Sequence, residues 1–328
     1  MRLAIVGCGK VAEKRAKALG TAARLVACVD VDPERAAAVA ALAGEPGARL
    51  AADWREAVEA SDVDAVVVST SHDVLAPITR AAVEAGKHVL VEKPAARRPG
   101  ELAGIAELAR RTGSRVRIGF NHRFHPALAL AKQLVEQGEL GELYYVRARY
   151  GHGGRLGYAR EWRADAARSG GGELVDQGVH LIDLSRWFLG DLTLAHGHAP
   201  TFFWDTAVDD NAFLLLTGER RRVAWLHASW TEWKNTFSFE VTGRTGKLEV
   251  TGLGGSYGTE RLTWFKMRPE LGPPDVTTWE FPSEDGSWAA EMSAFAEDVA
   301  GGREPSPGLA DAIAALTVVE DVYARRGA

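Results

Sequence analysis

The sequence predicts an α/β protein in two parts. Residues 1–120 read as a doubly wound parallel sheet, and residues 121–328 as an α+β part built on a mostly antiparallel sheet. Three observations lead there. Up to Phe120, short wholly apolar runs alternate with helical segments, as in a parallel sheet covered on both faces. Beyond Phe120, strand-like segments alternate with period two and are parted by short turns. Between the first apolar run and the first helix stands "GCGKVA", residues 7–12, a glycine-rich turn of the kind that cradles a dinucleotide pyrophosphate.

The elements follow in order. "RLAIV" (2–6) is a buried strand, and "GCGKVAEKRAKALG" (7–20) a helix entered through glycines and stopped by Gly20. "RLVACVD" (24–30) is the second strand. Asp32 is a good N-cap and Pro33 suits the first helical position, so "PERAAAVAAL" (33–42) is a helix. A weak strand "ARLA" (48–51) and a short helix "DWREAVEA" (53–60) precede the strong buried strand "VDAVVVST" (63–70). Then come helix "APITRAAVEAG" (76–86), strand "KHVLVE" (87–92), helix "PGELAGIAELARRTG" (99–113) and strand "SRVRIGF" (114–120).

The second part opens with helix "PALALAKQLVEQGELG" (126–141) and the alternating strand "LYYVRARY" (143–150). A helix is expected over "GGGELVDQGVHLIDLSRWFLG" (170–190). Strands follow at 212–217, 222–230, 236–243, 247–252, 261–267 and 276–281, and two helices close the chain at 287–302 and 308–326.

Composition narrows the function. Lys and Arg number 39 against 44 Asp and Glu, a net charge of −5 with no basic run, so neither nucleic acid nor a membrane surface is indicated as a partner. No apolar stretch reaches the length of a membrane span. A strand-like run starting at Arg2 leaves no room for a signal peptide, and two cysteines, Cys8 and Cys28, make no disulfide framework. A cytoplasmic setting is the expectation.

Gly7 permits the tight turn of the glycine loop, Gly9 lets backbone N–H groups approach a pyrophosphate, and Ala12 takes the third small position. Asp30 ends the second strand, where a carboxylate bonds the adenine ribose hydroxyls and repels a 2′-phosphate; NAD is therefore expected over NADP. Arg35 lies close enough in sequence to accept a 2′-phosphate instead. At the end of the fifth strand, Glu92, Lys93 and Pro94 stand where open sheets bind ligands; Lys93 could polarise a substrate oxygen, or simply pair with Glu92. In the segment 170–190, Asp176, His180 and Asp183 share one stripe of an otherwise apolar helix. That pattern fits acid–base chemistry or, less well, metal ligation; Asp183 could also be a structural partner of Arg186.

The order "GCGKVA", Asp30, "VVVSTS", "GKHVLVEKP", "IGFNHRF", "GELGELYYVRARY" and "GGGELVDQGVHLIDLSRW" resembles the glucose–fructose oxidoreductase, inositol dehydrogenase and rhizopine catabolism (Gfo/Idh/MocA) family along nearly the whole chain. The resemblance implies a Rossmann domain, a second domain with a large open sheet, and a homodimer or homotetramer formed through that sheet. It implies an NAD(P)-dependent dehydrogenase of a sugar, cyclitol or sugar derivative. Lys93 matches the lysine of the family's "EKP", and Asp176 and His180 match its D-x-G-x-H. His180 is then the general base, Lys93 stabilises alkoxide charge, and Asp176 binds substrate or orients His180. The same resemblance puts Lys10, Val11, Ser69, Thr70, His72 and Glu92 beside the cofactor, and no metal in the site. Asn121 and Arg123 are substrate candidates, as are Tyr158 and Arg163 in the long loop 150–172; His122 and His125 read as surface or helix-cap residues. The chain departs from the family's usual T-P-N or T-P-D after the fourth strand, reading Thr70-Ser71-His72-Asp73, with Leu75 where a histidine often stands. Alternatives are a nucleotide-sugar dehydrogenase or ketoreductase, a non-catalytic sugar sensor, or a redox-neutral glycosidase holding NAD. Trp225, Trp230, Trp233 and Trp264 line either the core or a subunit interface.

Overall fold

A computed structural model describes residues 1–325. Its contacts divide the chain into two compact units. The first comprises Met1–Asn121, Ala167–Gly170 and Trp288–Leu316; the second comprises His122–Ala166, Gly171–Ser287 and the stretch from Thr317.

The first unit is a six-stranded parallel sheet: β1 (Arg2–Val6), β2 (Arg24–Val29), β3 (Arg49–Ala51), β4 (Ala65–Val68), β5 (His88–Glu92) and β6 (Val116–Gly119), in the order β3-β2-β1-β4-β5-β6. The strands read as continuous apolar runs because both faces are covered; Ala65 to Val68 have no exposed surface. Its helices are α1 (Lys10–Lys17), α2 (Pro33–Leu42), α3 (Arg55–Val58), α4 (His72–Glu84) and α5 (Ile105–Thr112). Asp32 caps α2 by accepting the amides of Glu34 and Arg35, as its position predicts. The fourth helix begins at His72, upstream of the expected Ala76, because Ser71 ends the extended backbone and Pro77 is carried inside the helix. The strand order reverses between β1 and β4, and the chain leaves the carboxyl ends of both strands there, the usual ligand position in such sheets.

The second unit carries α6 (Pro126–Glu136), β7 (Leu143–Gly151), α8 (Val179–Leu189), β8 (Leu192–His198), β9 (Asn211–Gly218), β10 (Val223–Ser229), β11 (Thr236–Gly243), β12 (Gly246–Thr251), β13 (Glu260–Lys266) and β14 (Asp275–Phe281). The short helix α7 (Ala166–Ser169) precedes α8 in the chain. The sheet order is β14-β13-β12-β11-β7-β10-β9-β8. It is antiparallel except for β7 and β10, which run parallel. β8 was not expected: "LTLAHGH" lacks a β-branched run and contains Gly197, whose hydrogen faces Val322 where a Cβ would come within 2.7 Å. One sheet face is buried under α6 and α8; on β7 this face carries Val146, Ala148 and Tyr150, while Tyr145, Arg147 and Arg149 point outward. The tryptophans separate: Trp230 is fully buried, whereas Trp225 and Trp233 are mostly exposed.

The last helices are α9 (Ser287–Gly301) and α10 (Leu309–Ala324); Arg326, where the final helix was expected to end, lies outside the described residues. Among the described residues no helix is long and apolar enough to cross a membrane.

Candidate active site

In the first unit, Gly7 has φ +86°, and a Cβ there would lie 2.7 Å from the Ser69 carbonyl oxygen and from Thr70 Cγ2. The turn is therefore closed to any other residue. Gly7→Ala is expected to destabilise the unit by about 2 kcal/mol and to weaken dinucleotide binding, read by thermal unfolding and by titration with NAD. Ser69 Oγ donates to the Gly7 carbonyl (2.7 Å), tying β4 to the same turn. A Cβ at Gly9 would meet nothing within 4 Å, so open space lies beside the N-terminus of α1, which has no side-chain cap. Lys10 and Val11 form the first turn of α1, Lys10 exposed and Val11 half-buried.

Asp30 Oδ2 accepts the Cys8 amide (2.6 Å) and Oδ1 the Asp32 amide (2.9 Å). The carboxylate is thus fixed at the loop with acceptor capacity left over. Arg35, the residue that could receive a 2′-phosphate, is engaged by Asp32 at 3.2 Å. Open space at Gly9, an uncapped helix start and a fixed carboxylate together fit a dinucleotide with a free ribose diol.

Thr70 Oγ1 bonds the Ser71 carbonyl, and buried His72 places Nδ1 2.8 Å from the Ser169 carbonyl oxygen. Glu92 does not serve Lys93. It accepts Arg15 Nε (2.7 Å) and Nη2 (2.6 Å), and Arg15 Nη1 reaches Glu291 at 2.6 Å, all three side chains being buried. This overturns the alternative in which Lys93 is a surface partner of Glu92. Lys93 is half-buried and its bond to Pro94 is cis.

In the second unit, the expected single helix over 170–190 is broken in two. Residues Leu174–Gly178 form a π-helical turn, and α8 continues from Val179. Such turns widen a helix locally and recur at functional sites. Asp176 lies in the turn and His180 in the first turn of α8, both buried among apolar neighbours. The entry is fixed by buried Asp209, which accepts the amides of Gly172 (3.0 Å) and Leu174 (2.8 Å) and the Tyr323 hydroxyl (2.8 Å).

Asp176 Oδ2 lies 3.2 Å from Arg163 Nε, so the long loop delivers a cation to this carboxylate. Burial works against the Arg163 charge, but Asp176, Tyr158 and Glu161 outweigh it and hold the guanidinium firmly protonated. Tyr158 is buried edge-on against Trp230, ring centroids 4.6 Å apart, and burial pushes its phenol well up. Arg123, a substrate candidate, makes a two-pronged buried ion pair with Asp183 (2.9 and 2.5 Å). Asp183 is thus not the partner of Arg186, which turns to Asp191 (2.6 Å). Asn121 is buried at the start of the turn that leads to α6.

His122 and His125, expected at the surface or at a helix cap, are both buried. His125 does precede α6 as its N-cap residue, and its Nδ1 lies 2.9 Å from Glu260. His122 lies against His180, with ring centroids 3.8 Å apart. Tyr150 faces both rings. Sequence reasoning missed His122, Tyr150 and Asp209; the inward phase of "LYYVRARY" was the available signal for Tyr150. Among the described residues, no group of three or more His, Cys, Asp or Glu side chains is placed to hold a metal ion.

Comparison with known proteins gives two matches to one family. Residues 1–120 match the model of the GFO/IDH/MocA oxidoreductase family, NAD-binding Rossmann fold, and residues 128–249 match the GFO/IDH/MocA C-terminal domain. A levoglucosan dehydrogenase of Pseudarthrobacter phenanthrenivorans is 30% identical over 175 residues, 53% of this chain; the match spans only 44% of that relative. An inositol 2-dehydrogenase of Rhizobium meliloti is 25% identical over 98% of this chain and 95% of its own length. Among solved structures, a levoglucosan dehydrogenase in complex with NADH superposes with a TM-score of 0.86 over 99% of this chain and 97% of that one, at 22% identity.

Proposed function

The chain belongs to the GFO/IDH/MocA oxidoreductase family, and from that membership we propose that it is an NAD-dependent dehydrogenase of a secondary alcohol on a sugar or cyclitol ring. The observation that carries the reading is the burial of Asp176 and His180 at the junction of a π-helical turn and α8, with Arg163 on the carboxylate. Buried ionisable groups need partners such as Arg163 to offset their desolvation, and such groups cluster at active sites.

Bound nicotinamide supplies the hydride acceptor. His180 takes the hydroxyl proton, and imidazole suits that step near neutral pH. Lys93 stabilises the developing alkoxide with its ammonium charge. Asp176, held by Arg163, accepts a hydrogen bond from a neighbouring ring hydroxyl and aligns the substrate. Gly7, Gly9 and the start of α1 hold the pyrophosphate, and Asp30 takes the ribose diol.

The engagement of Arg35 by Asp32 supports NAD over NADP. A nucleotide-sugar substrate is less well supported. Of the loop arginines that could clamp a diphosphate, Arg155 is taken by Glu161 (2.6 Å) and Arg163 by Asp176. A neutral polyol fits such a loop better. The outward face of the eight-stranded sheet exposes Tyr145, Leu215 and Trp225 around the Arg147–Glu240 pair; we propose it as the contact of a homodimer or homotetramer. The cytoplasm, where NAD is abundant and free thiols such as Cys8 and Cys28 persist, is the proposed location.

The test is formation of NADH from NAD, or of NADPH from NADP, by the purified protein across inositols, anhydrosugars and glucosides. Turnover with NAD on one ring class is expected. Turnover with NADP alone, or on acyclic acids alone, would contradict the reading.

A further inference from the structure

The glycine run 170–172 stands directly before the turn that carries Asp176. A Cβ at Gly171 would lie 2.1 Å from the Tyr323 hydroxyl oxygen and 2.5 Å from the ring carbon that bears it, so glycine there is what admits the phenol. Tyr323 comes from the last turn of α10, 151 residues beyond Gly172 in the chain. Its hydroxyl donates to Asp209 Oδ1 (2.8 Å) and accepts the Gly172 amide (3.2 Å). Asp209 Oδ1 takes the same amide at 3.0 Å, so hydroxyl, carboxylate and amide close on one another.

Gly172 hands this constraint on. Its carbonyl accepts the Asp176 amide at 3.0 Å, one hydrogen bond from the clamp to the residue itself. Asp209 also holds the two residues after Gly172, taking the Glu173 amide on its carbonyl (2.9 Å) and the Leu174 amide on Oδ2 (2.8 Å). Tyr323 is in turn fixed by its neighbours in the chain. Val322 fills the space beside Gly197 of β8, and Arg325 donates to the carbonyls of Ala195 (3.2 Å) and Leu194 (3.4 Å) on the same strand. All these groups belong to the second unit. Asp176 is thus gripped at both ends, its carboxylate by Arg163 at 3.2 Å and its backbone by the clamp.

We propose that Tyr323 is a positioning residue for Asp176: its hydroxyl completes the clamp on Gly172 and so sets where the Asp176 carboxylate meets the substrate. The inference rests on the reading above, in which Asp176 aligns a neighbouring ring hydroxyl. Through the clamp, the end of the last helix helps to determine how well that hydroxyl is held.

Two readouts test this. Tyr323→Phe keeps the ring against Gly171 and removes both hydrogen bonds of the hydroxyl. In the full-length protein without substrate, backbone hydrogen exchange followed by NMR is expected to show the Asp176 amide exchanging about tenfold faster than in wild type, with the amides of β11 and β12 unchanged. Gly171→Ala, which pushes the phenol away from the other side, should do the same. In turnover, Tyr323→Phe is expected to lower kcat about tenfold with NAD binding unchanged. That loss should largely vanish in an Asp176→Asn background, since a residue that acts through Asp176 then has no carboxylate to place. With Asp176→Asn impaired, losses that multiply would overturn the proposal, as would wild-type exchange at the Asp176 amide in both Tyr323→Phe and Gly171→Ala. Normal turnover by Asp176→Asn would instead refute the substrate role of Asp176, and the exchange rate alone then decides the clamp.

Discussion

Gly172→Ala is expected to destabilise the second unit by at least about 3 kcal/mol and to lower turnover about a hundredfold. A Cβ at this position would lie 1.9 Å from the Asp209 carbonyl oxygen and 2.7 Å from its amide nitrogen. Both are backbone atoms, so neither can swing aside. The chain must shift instead, and the segment that shifts carries Asp176 and His180. Asp209→Ala reaches the same place from the other side. It leaves the Gly172 and Leu174 amides and the Tyr323 hydroxyl without this buried acceptor. At about 1–3 kcal/mol for each unsatisfied buried donor, a loss of roughly 4 kcal/mol is expected. Urea unfolding gives the stability of both variants. Retention of wild-type stability by either would show that the helix entry does not depend on this anchor.

Arg15→Met is expected to cost about 4 kcal/mol at pH 8, because it leaves Glu92 and Glu291 buried with no cation between them. The trio already carries one carboxylate too many. Burial is the main reason the Glu291 carboxyl is pushed up to about 7, with Arg15 pulling the other way and Glu92 reinforcing the rise. A carboxyl raised in the folded state favours folding while it is protonated. Its contribution is complete below the ordinary value of 4.5 and is lost as pH rises through about 7. Wild type should therefore lose roughly 3 kcal/mol from this group across that window. Glu291→Gln should flatten the loss and match or exceed wild-type stability at pH 8. The penalty of Arg15→Met should shrink toward pH 5, where Glu291 is protonated. Unfolding midpoints measured from pH 4.5 to 8 decide both points; a Glu291→Gln protein less stable than wild type at pH 8 would reverse this account of the trio.

Much of the first unit was legible because its signals are local. Apolar runs, glycines at turns and Asp32 before Pro33 fix β1 to β6 and the helices between them with little help from elsewhere. The second unit was harder for a physical reason. β7 and β10 pair in parallel although most of the sheet is antiparallel, and strand direction leaves no mark on period-two alternation. The π-helical turn at Leu174–Gly178 escaped because hydrophobic periodicity does not distinguish it from an α-helical turn. The Asp176 and His180 pattern was visible through spacing, and its supports were not. Asp209 lies 37 residues from Gly172 and Glu260 lies 135 from His125, so only folding brings them together. Arg15 on α1 is the buried centre of an ion trio that no local pattern marks, because α9 supplies Glu291 from far along the chain.

The most direct test of the central claim, that His180 is the base of an NAD-dependent alcohol oxidation, is a single-turnover measurement. Wild type and His180→Ala are each mixed with saturating NAD and the ring polyol that gives the fastest turnover, and NADH formation is followed between pH 6 and 10. The account predicts a rapid burst of NADH in wild type. In His180→Ala it predicts a burst slowed by about a hundredfold or more, with NAD binding unchanged and recovery as rising pH ionises the alcohol without help. A burst of wild-type rate in His180→Ala at neutral pH would contradict it.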